Sequence, residues 1–367
     1  ATTQMNPASG GTWASNDNTK ATVTNAGLVT AISAGVARFT FTQTSTGCKS
    51  LPSEWVSILV KPIAIVSGSA TICEGYTTQL TPTSGGTWQS SNATLASVTN
   101  DGVVLGKSGG TVNFTFTLDN STCSSDPSTN VVVNDRPVIS LSGSNIMCLG
   151  NTLQALPSSG GAWQSSNITT ATINNAGLIS SQGLGSFKVI FTSSSTGCKS
   201  DSSQTITIYD VPVASITGND TLCAGATSSL TPSSGGSWST TAASVATILN
   251  NGQVTAIADG TAQFIFTNSI SGCSSLPSSP IRVFNNPVVS ILGPTTICED
   301  ITTQLSPSSG GHWVSSHPTI AGVTDGGLAT GLSGGTARFT FTNESTGCSS
   351  APTGWVTVVD QPDIALS

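Results

Sequence analysis

The chain has 367 residues and a net charge of −7, with charged residues at 7 %, aromatic residues at 5 % and 39 glycines. Ten basic residues leave no cationic patch for phosphate, which excludes nucleic acid as a partner. No apolar run approaches the roughly 18 residues of a spanning helix, so direct membrane insertion is not expected. Apolar residues reach 37 % and fall in short alternating runs of Val, Ile, Leu and Ala, which is enough for a core and excludes a disordered chain.

The first landmark is a tryptophan in a Gly-Gly-x-Trp run. It recurs as Trp13, Trp88, Trp163, Trp238 and Trp313, a step of 75 residues each time. Prolines recur at the same step, as Pro62, Pro137, Pro212, Pro287 and Pro362. They divide the chain into a first repeat over 1–61 that lacks its first strand, whole repeats over 62–136, 137–211, 212–286 and 287–361, and the first strand of a following repeat over 362–367. Strand-like residues flank each proline closely. A proline with fixed φ in a near-zero linker favours a stiff joint. The chain starts inside a repeat and carries no secretion signal at residue 1, which reads as a fragment or processed piece of a longer array.

Within 62–136 the alternation predicts strands over 63–67, 78–81, 87–90, 96–99, 103–105, 111–117 and 130–133. Asn100-Asp101-Gly102 is a hairpin turn, and the run 111–117 places Phe114 and Phe116 on one face. Seven short strands between Gly, Pro and Asn turns predict an all-β fold. The expected architecture is a tandem array of immunoglobulin-like seven-stranded β-sandwiches of about 75 residues, forming an extended rod.

Pro82, Gly85, Gly86, Trp88, Ala96, Gly102, Gly110, Phe116 and Thr117 are identical in all five copies. The glycines are expected at turns that need positive φ. Core positions are assigned to Trp13, Trp88, Trp163, Trp238 and Trp313, with Phe41, Phe116, Phe191, Phe266 and Phe341. The third copy has Val189 for Phe114 and Ala155 for Leu80, with Leu153 or Leu156 expected to refill the space.

The run Trp-Gln-Ser-Ser-Asn, followed by Ala-x-Val, Asn-x-Gly-x-Val and Gly-Thr-x-x-Phe-Thr, resembles the group 2 bacterial immunoglobulin-like domain of intimin and invasin type surface proteins. Thr71-Ile72-Cys73-Glu74-Gly75 and the Ser-Thr-Gly-Cys run ending at Cys198 are similar to cysteine-bearing repeats of very large secreted Bacteroidota proteins, gliding adhesins among them. The resemblance spans every repeat and implies an envelope or extracellular location.

Nine cysteines alternate gaps of 25 and 50 residues, and no CxxC occurs, which points to disulfides in an oxidising compartment rather than to zinc. Three regular schemes fit. A within-repeat scheme joins Cys73 to Cys123, Cys148 to Cys198, Cys223 to Cys273 and Cys298 to Cys348, leaving Cys48 unpaired. A between-repeat scheme joins Cys73 to Cys198, Cys148 to Cys273 and Cys223 to Cys348. A 25-residue scheme would join neighbours such as Cys48 and Cys73. The strand assignment puts Cys73 and Cys123 at opposite ends of a sandwich, farther apart than the ~7 Å that a disulfide spans between Cα atoms, and so favours the second scheme.

No catalytic residue, metal ligand or cofactor site is expected. His312 and His317 occur only in the last copy, and Asp101, Asp259 and Asp325 lie in turns without the close oxygen spacing of a calcium loop. Thr40, Thr42, Thr115, Thr117, Thr340 and Thr342 are read as solvent-facing strand residues, and Trp55 and Trp355 as local core. Sequons at Asn92, Asn113, Asn120, Asn167, Asn219 and Asn343 carry little weight in a bacterial protein. The expected function is a non-enzymatic, secreted stalk or adhesin fibre. Its expected partners are neighbouring repeats of the same or identical chains, with glycans or a surface as candidates. The alternatives are a filament subunit whose 362–367 tail completes the first repeat of another molecule, and a glycan-binding appendage of a secreted enzyme.

Overall fold

The structure, a computed structural model of the chain, describes residues 1–119 and 121–362. The tail strand expected over 362–367 and the sequon at Asn120 therefore lie outside the described residues, apart from Pro362 itself. All regular structure among the described residues is β-strand. The chain divides into two compact units. One holds Ala1–Ile139 with Pro157–Trp163 and Ile190–Ser202, and the other holds Ser140–Leu156, Gln164–Val189 and the residues from Ser203 on.

In the first unit the most complete sandwich lies within 62–136. Four antiparallel strands, Ala96–Val98, Val103–Gly106, Thr77–Thr81 and Ile65–Val66, form one sheet in that order. The other layer contains Gly86–Ser90 against Phe114–Leu118, with Trp88 opposite Phe116, and the three-stranded set Gly110–Val112, Val131–Asn134 and Thr71–Cys73. Inward-facing residues alternate along every strand, as the period of two requires. They enclose Ile72, Leu80, Trp88, Val104, Phe114, Phe116, Val131 and Val133 in one cluster.

Residues 1–61 repeat part of this plan. Thr2–Gln4, Leu28–Ala31 and Ala21–Val23 form one sheet, while Gly11–Ser15 pairs with Phe39–Gln43 and Gly35–Ala37 pairs with Val56–Ile58. In the second unit the full strand set recurs twice, around the clusters centred on Trp238 with Phe264 and Phe266 and on Trp313 with Phe339 and Phe341.

Two strands depart from the sequence expectation. The long run 111–117 is broken at Asn113, whose backbone bonds to Ser91 while the strand before it pairs with Val131–Asn134 and the strand after it with Gly86–Ser90. One alternating run thus serves two sheets. The other departure is Thr71–Cys73, which lies parallel to Val131–Asn134. Three residues show no readable alternation, so the pattern assigns this segment to no strand.

The constant glycines divide into two physical groups. Gly85 and Gly102 hold φ of 83° and 81°, as expected of turn residues. Gly86 does not hold positive φ; a Cβ there would lie 2.6 Å from Phe116 Cζ and closer still to the Thr117 carbonyl. The close approach of the Thr117 carbonyl and the Phe116 ring, not the turn, demands this glycine. In the third repeat Ala155 is buried, Leu153 is half-buried, and Leu156 is exposed and does not refill the space.

Candidate functional site: the cysteine joints

The tryptophans and phenylalanines assigned to the core form matched pairs. Trp88 and Phe116 stand 5.0 Å apart between ring centroids, and Trp13 with Phe41, Trp163 with Phe191, Trp238 with Phe266 and Trp313 with Phe341 repeat the contact within 5.0 to 5.2 Å. Each indole N–H donates to the carbonyl of the proline six residues earlier, as Trp88 does to Pro82 at 2.9 Å. The constant proline thus supplies the acceptor that a buried indole requires. Trp88, Trp163, Trp238 and Trp313 are buried, whereas Trp13 and Phe41 are only partly so.

The chemistry of the chain lies in its cysteines. Cys73 ends the Thr71–Cys73 strand opposite Asn134, where the Glu74 amide donates to the Asn134 carbonyl and the chain turns at Gly75. Cys198 sits in a tight loop in which the Ser193 amide donates to the Cys198 carbonyl and Gly197 holds φ of 72°. These two cysteines are joined, with Cα atoms 5.6 Å apart. Arg136 reaches the same place, pairing with Asp201 at 2.6 Å and donating to the Lys199 carbonyl. In the second unit Cys148 is joined to Cys273 and Cys223 to Cys348, with Cα separations of 5.7 and 5.5 Å. All three bridges span 125 residues, from a strand-end cysteine of one repeat to the loop cysteine of the next.

The within-repeat pairs Cys73–Cys123, Cys148–Cys198, Cys223–Cys273 and Cys298–Cys348 are not formed. Cys73 lies beside the last residue of Val131–Asn134, whereas Cys123 precedes that strand in the turn after Phe114–Leu118, so the length of a strand intervenes. Cys48, Cys123 and Cys298 are free thiols.

Each loop cysteine is steadied by residues that pattern reading passed over. Two and five positions after Cys123, the buried Ser125 and Ser128 hydroxyls accept the amides of Phe116 and Phe114 at 3.0 and 3.1 Å. Their own amides donate back to the same phenylalanines' carbonyls, both at 2.8 Å. Ser200 with Ser203, Ser275 with Ser278, and Ser350 with Thr353 bind their phenylalanine or valine partners in the same way. A side-chain hydroxyl thus replaces a missing ladder strand and fixes the segment that carries the cysteine. The signal was available, since a hydroxyl residue returns at both positions in every repeat.

The remaining candidates are dispersed. His312 pairs with Asp325 at 3.3 Å with both side chains exposed, and Asp259 pairs with Arg282. Asp101 bonds the Thr99 hydroxyl. No group of three or more His, Cys, Asp or Glu that could hold a metal is found among the described residues. The six strand threonines are half-buried rather than solvent-facing. Thr117 and Thr342 are half-buried, and their hydroxyls bond Ser124 and Ser349 on the returning loop. Trp55 and Trp355 are not core: each is about half exposed, with the Arg38 or Arg338 guanidinium stacked on its ring at 4.7 and 4.5 Å. No described helix is long and apolar enough to cross a membrane.

Residues 1–51 match the family model of the bacterial Ig-like domain, group 2. The proline, glycine pair, tryptophan and phenylalanine of that segment return at 75-residue steps, so the chain is a tandem array of the pattern that carries this match. No curated protein sequence matches it. Among solved structures it is similar to invasin, described as a bacterial integrin-binding protein, at 14 % identity over 89 % of this chain and 76 % of that one, with a TM-score of 0.27. It is similar to domains 1–6 of the surface layer protein SbsC at 13 % identity, over 87 % of this chain and 57 % of that one, with a TM-score of 0.20. An intimin fragment bound to its translocated receptor's intimin-binding domain matches at 9 % identity, over 57 % of this chain and 67 % of that one, with a TM-score of 0.25.

Proposed function

We propose that this chain is a non-enzymatic, extracellular spacer, a stiff disulfide-braced stalk of a surface adhesin that holds another part of its protein away from the cell. The repeats are taken as 1–61, 62–136, 137–211, 212–286 and 287–361. The observation that carries the reading is the connectivity of the bridges. Their overlap gives a short covalent route from residue 1 to Cys73, across to Cys198, along to Cys223, across to Cys348 and out. A pull on the two ends is borne by that route, and the residues between the bridged cysteines are bypassed. Such bracing suits a part whose task is length under load. Disulfides at this density also need an oxidising compartment, which favours a secreted or surface location.

Stretching single molecules by their ends tests the reading. The oxidised chain is expected to stop extending at about one third of the contour length reached after reduction, at the usual length per extended residue. Equal final lengths in both states would overturn it.

A further inference from the structure

The arginines of the chain fall into two kinds. Arg136 and Arg282 each meet an aspartate, at 2.6 and 3.0 Å. Arg38 and Arg338 meet no carboxylate among the described residues, and each guanidinium lies on an indole instead, Arg38 on Trp55 and Arg338 on Trp355. The sheet sets this contact. Ala337 lies opposite Val356, so the next step of the same register brings Arg338 to Trp355, as Ala37 opposite Val56 brings Arg38 to Trp55. The other repeats carry Asn113 with Asn130, Lys188 with Thr205 and Gln263 with Pro280 at these two positions. Arginine and tryptophan thus occur together or not at all, and the sandwiches around Phe114 and Phe264, which lack the pair, close the same core.

The demands of folding do not account for the pair. Trp355 is 49 % exposed with the repeat before it in place, and Arg338 Nε is buried without a hydrogen-bond partner. A buried guanidinium N–H left unpaired costs stability, and such costs collect where a surface has a task. Trp355 stands at the start of Val356–Val359, and the chain leaves the repeat from the other end of that strand, so its exposure does not come from the chain's terminus.

We propose that Arg338 and Trp355 form a binding site for an acidic sugar, a hexuronic acid residue within a polysaccharide. The inference goes beyond the stalk reading and does not depend on it. The sugar's carboxylate accepts two hydrogen bonds from the Arg338 fork, whose terminal donors bond no protein group among the described residues, a geometry that a planar guanidinium favours. The apolar C–H face of the sugar ring covers the exposed part of the indole. On the same outer face of the sheet lie Val314, 59 % exposed, and Thr336 opposite Thr357, side chains small enough for a sugar chain to pass across. An acidic peptide finds no strand edge to join, because Val356–Val359 is paired on both sides, by Thr296–Cys298 and by Gly335–Ala337. The net charge of −7 gives no general pull on a polyanion, so affinity rests on this one fork.

The test follows the indole N–H signals of the whole chain by NMR while a tetramer of galacturonic acid is added. The expected result is a saturable shift of Trp355, with no shift of the five indoles that donate to prolines. The methyl-esterified tetramer, which keeps the sugar and removes the charge, is expected to bind at least about tenfold more weakly. Arg338→Gln is expected to cost a similar factor for the acid and to leave the ester's affinity unchanged. Trp355→Thr is expected to abolish binding of both, read from the Thr357 amide. Each substitution installs a residue that another repeat carries at that position, Gln263 or Thr205, so the fold is kept. Absence of a Trp355 shift, equal affinity for the ester, or acid binding indifferent to Arg338→Gln would each overturn the proposal. So would a tetramer of sulfated galactose or of aspartic acid that binds as tightly as the uronate.

Discussion

Residues 1–61 and 62–136 carry the same proline, glycine pair, tryptophan and phenylalanine at the same spacing, yet they bury different cores. In the second segment ten residues are buried in one cluster, with Trp88 and Phe116 among them. In the first, only Ala21, Val29, Ala37 and Phe39 are buried, and Trp13, Val56 and Ile58 pack around them half-open. The ring contacts are nearly identical, at 5.1 and 5.0 Å. What differs is the flank: the second segment has Ile65–Val66 on one sheet and Thr71–Cys73 on the other, and the first has no counterpart of either among the described residues. The repeated motif therefore builds the centre of a sandwich, while the short strands before it seal the core and carry the cysteine.

The comparison can be broken most strongly at its centre. Trp88→Ala removes a buried indole, its contact with Phe116 and its bond to Pro82, and is expected to destabilise the second repeat by about 3–5 kcal/mol. Trp13→Ala is expected to cost roughly half as much because its indole is already part-exposed. Amide exchange at Phe116 and Phe41 reads the two repeats separately.

The next largest effect is at the flank. Cys73→Ser removes the bridge to Cys198 and is expected to cost about 2–5 kcal/mol. It also makes the second repeat resemble the first, since the Thr71–Cys73 strand loses its anchor. Exchange of the Val132 amide, which donates to Ala70, is then expected to rise while Phe116 stays protected. Ser128→Ala leaves the buried Phe114 amide without its acceptor and is expected to cost about 1–3 kcal/mol by the same measurement. Ser50→Ala in the first repeat is expected to cost less, because Ser50 is exposed and water can replace it. The smallest effect is expected from Lys61→Ala. Its ion pair with Asp126 is mostly solvent-exposed, and the change in stability is expected to stay below about 1 kcal/mol.

Much of the fold was legible because the chain states its pattern five times. Alternation marked Phe114 and Phe116 on one face, and the Asn-Asp-Gly run marked its turn. The break at Asn113 was not legible, because alternation continues unbroken while the strand changes partner sheets. The Thr71–Cys73 strand was too short to show a period. Gly86 looked like its neighbour Gly85, and only the Thr117 carbonyl and Phe116 ring pressed against it distinguish a steric requirement from a conformational one. Trp55 and Trp355 looked apolar in sequence, but the arginine stacked on each makes a surface pair. For the cysteines, spacing admits several pairings because it does not say which end of one repeat meets which loop of the next.

The measurement that bears most directly on the joints is proteolytic mapping of the unreduced protein, with cross-linked peptides identified by mass. The expected links are Cys73 to Cys198, Cys148 to Cys273 and Cys223 to Cys348, with Cys48 unlinked to any of them. Recovery of Cys148 linked to Cys198, or of Cys223 linked to Cys273, would place the bridges inside repeats and contradict the braced array.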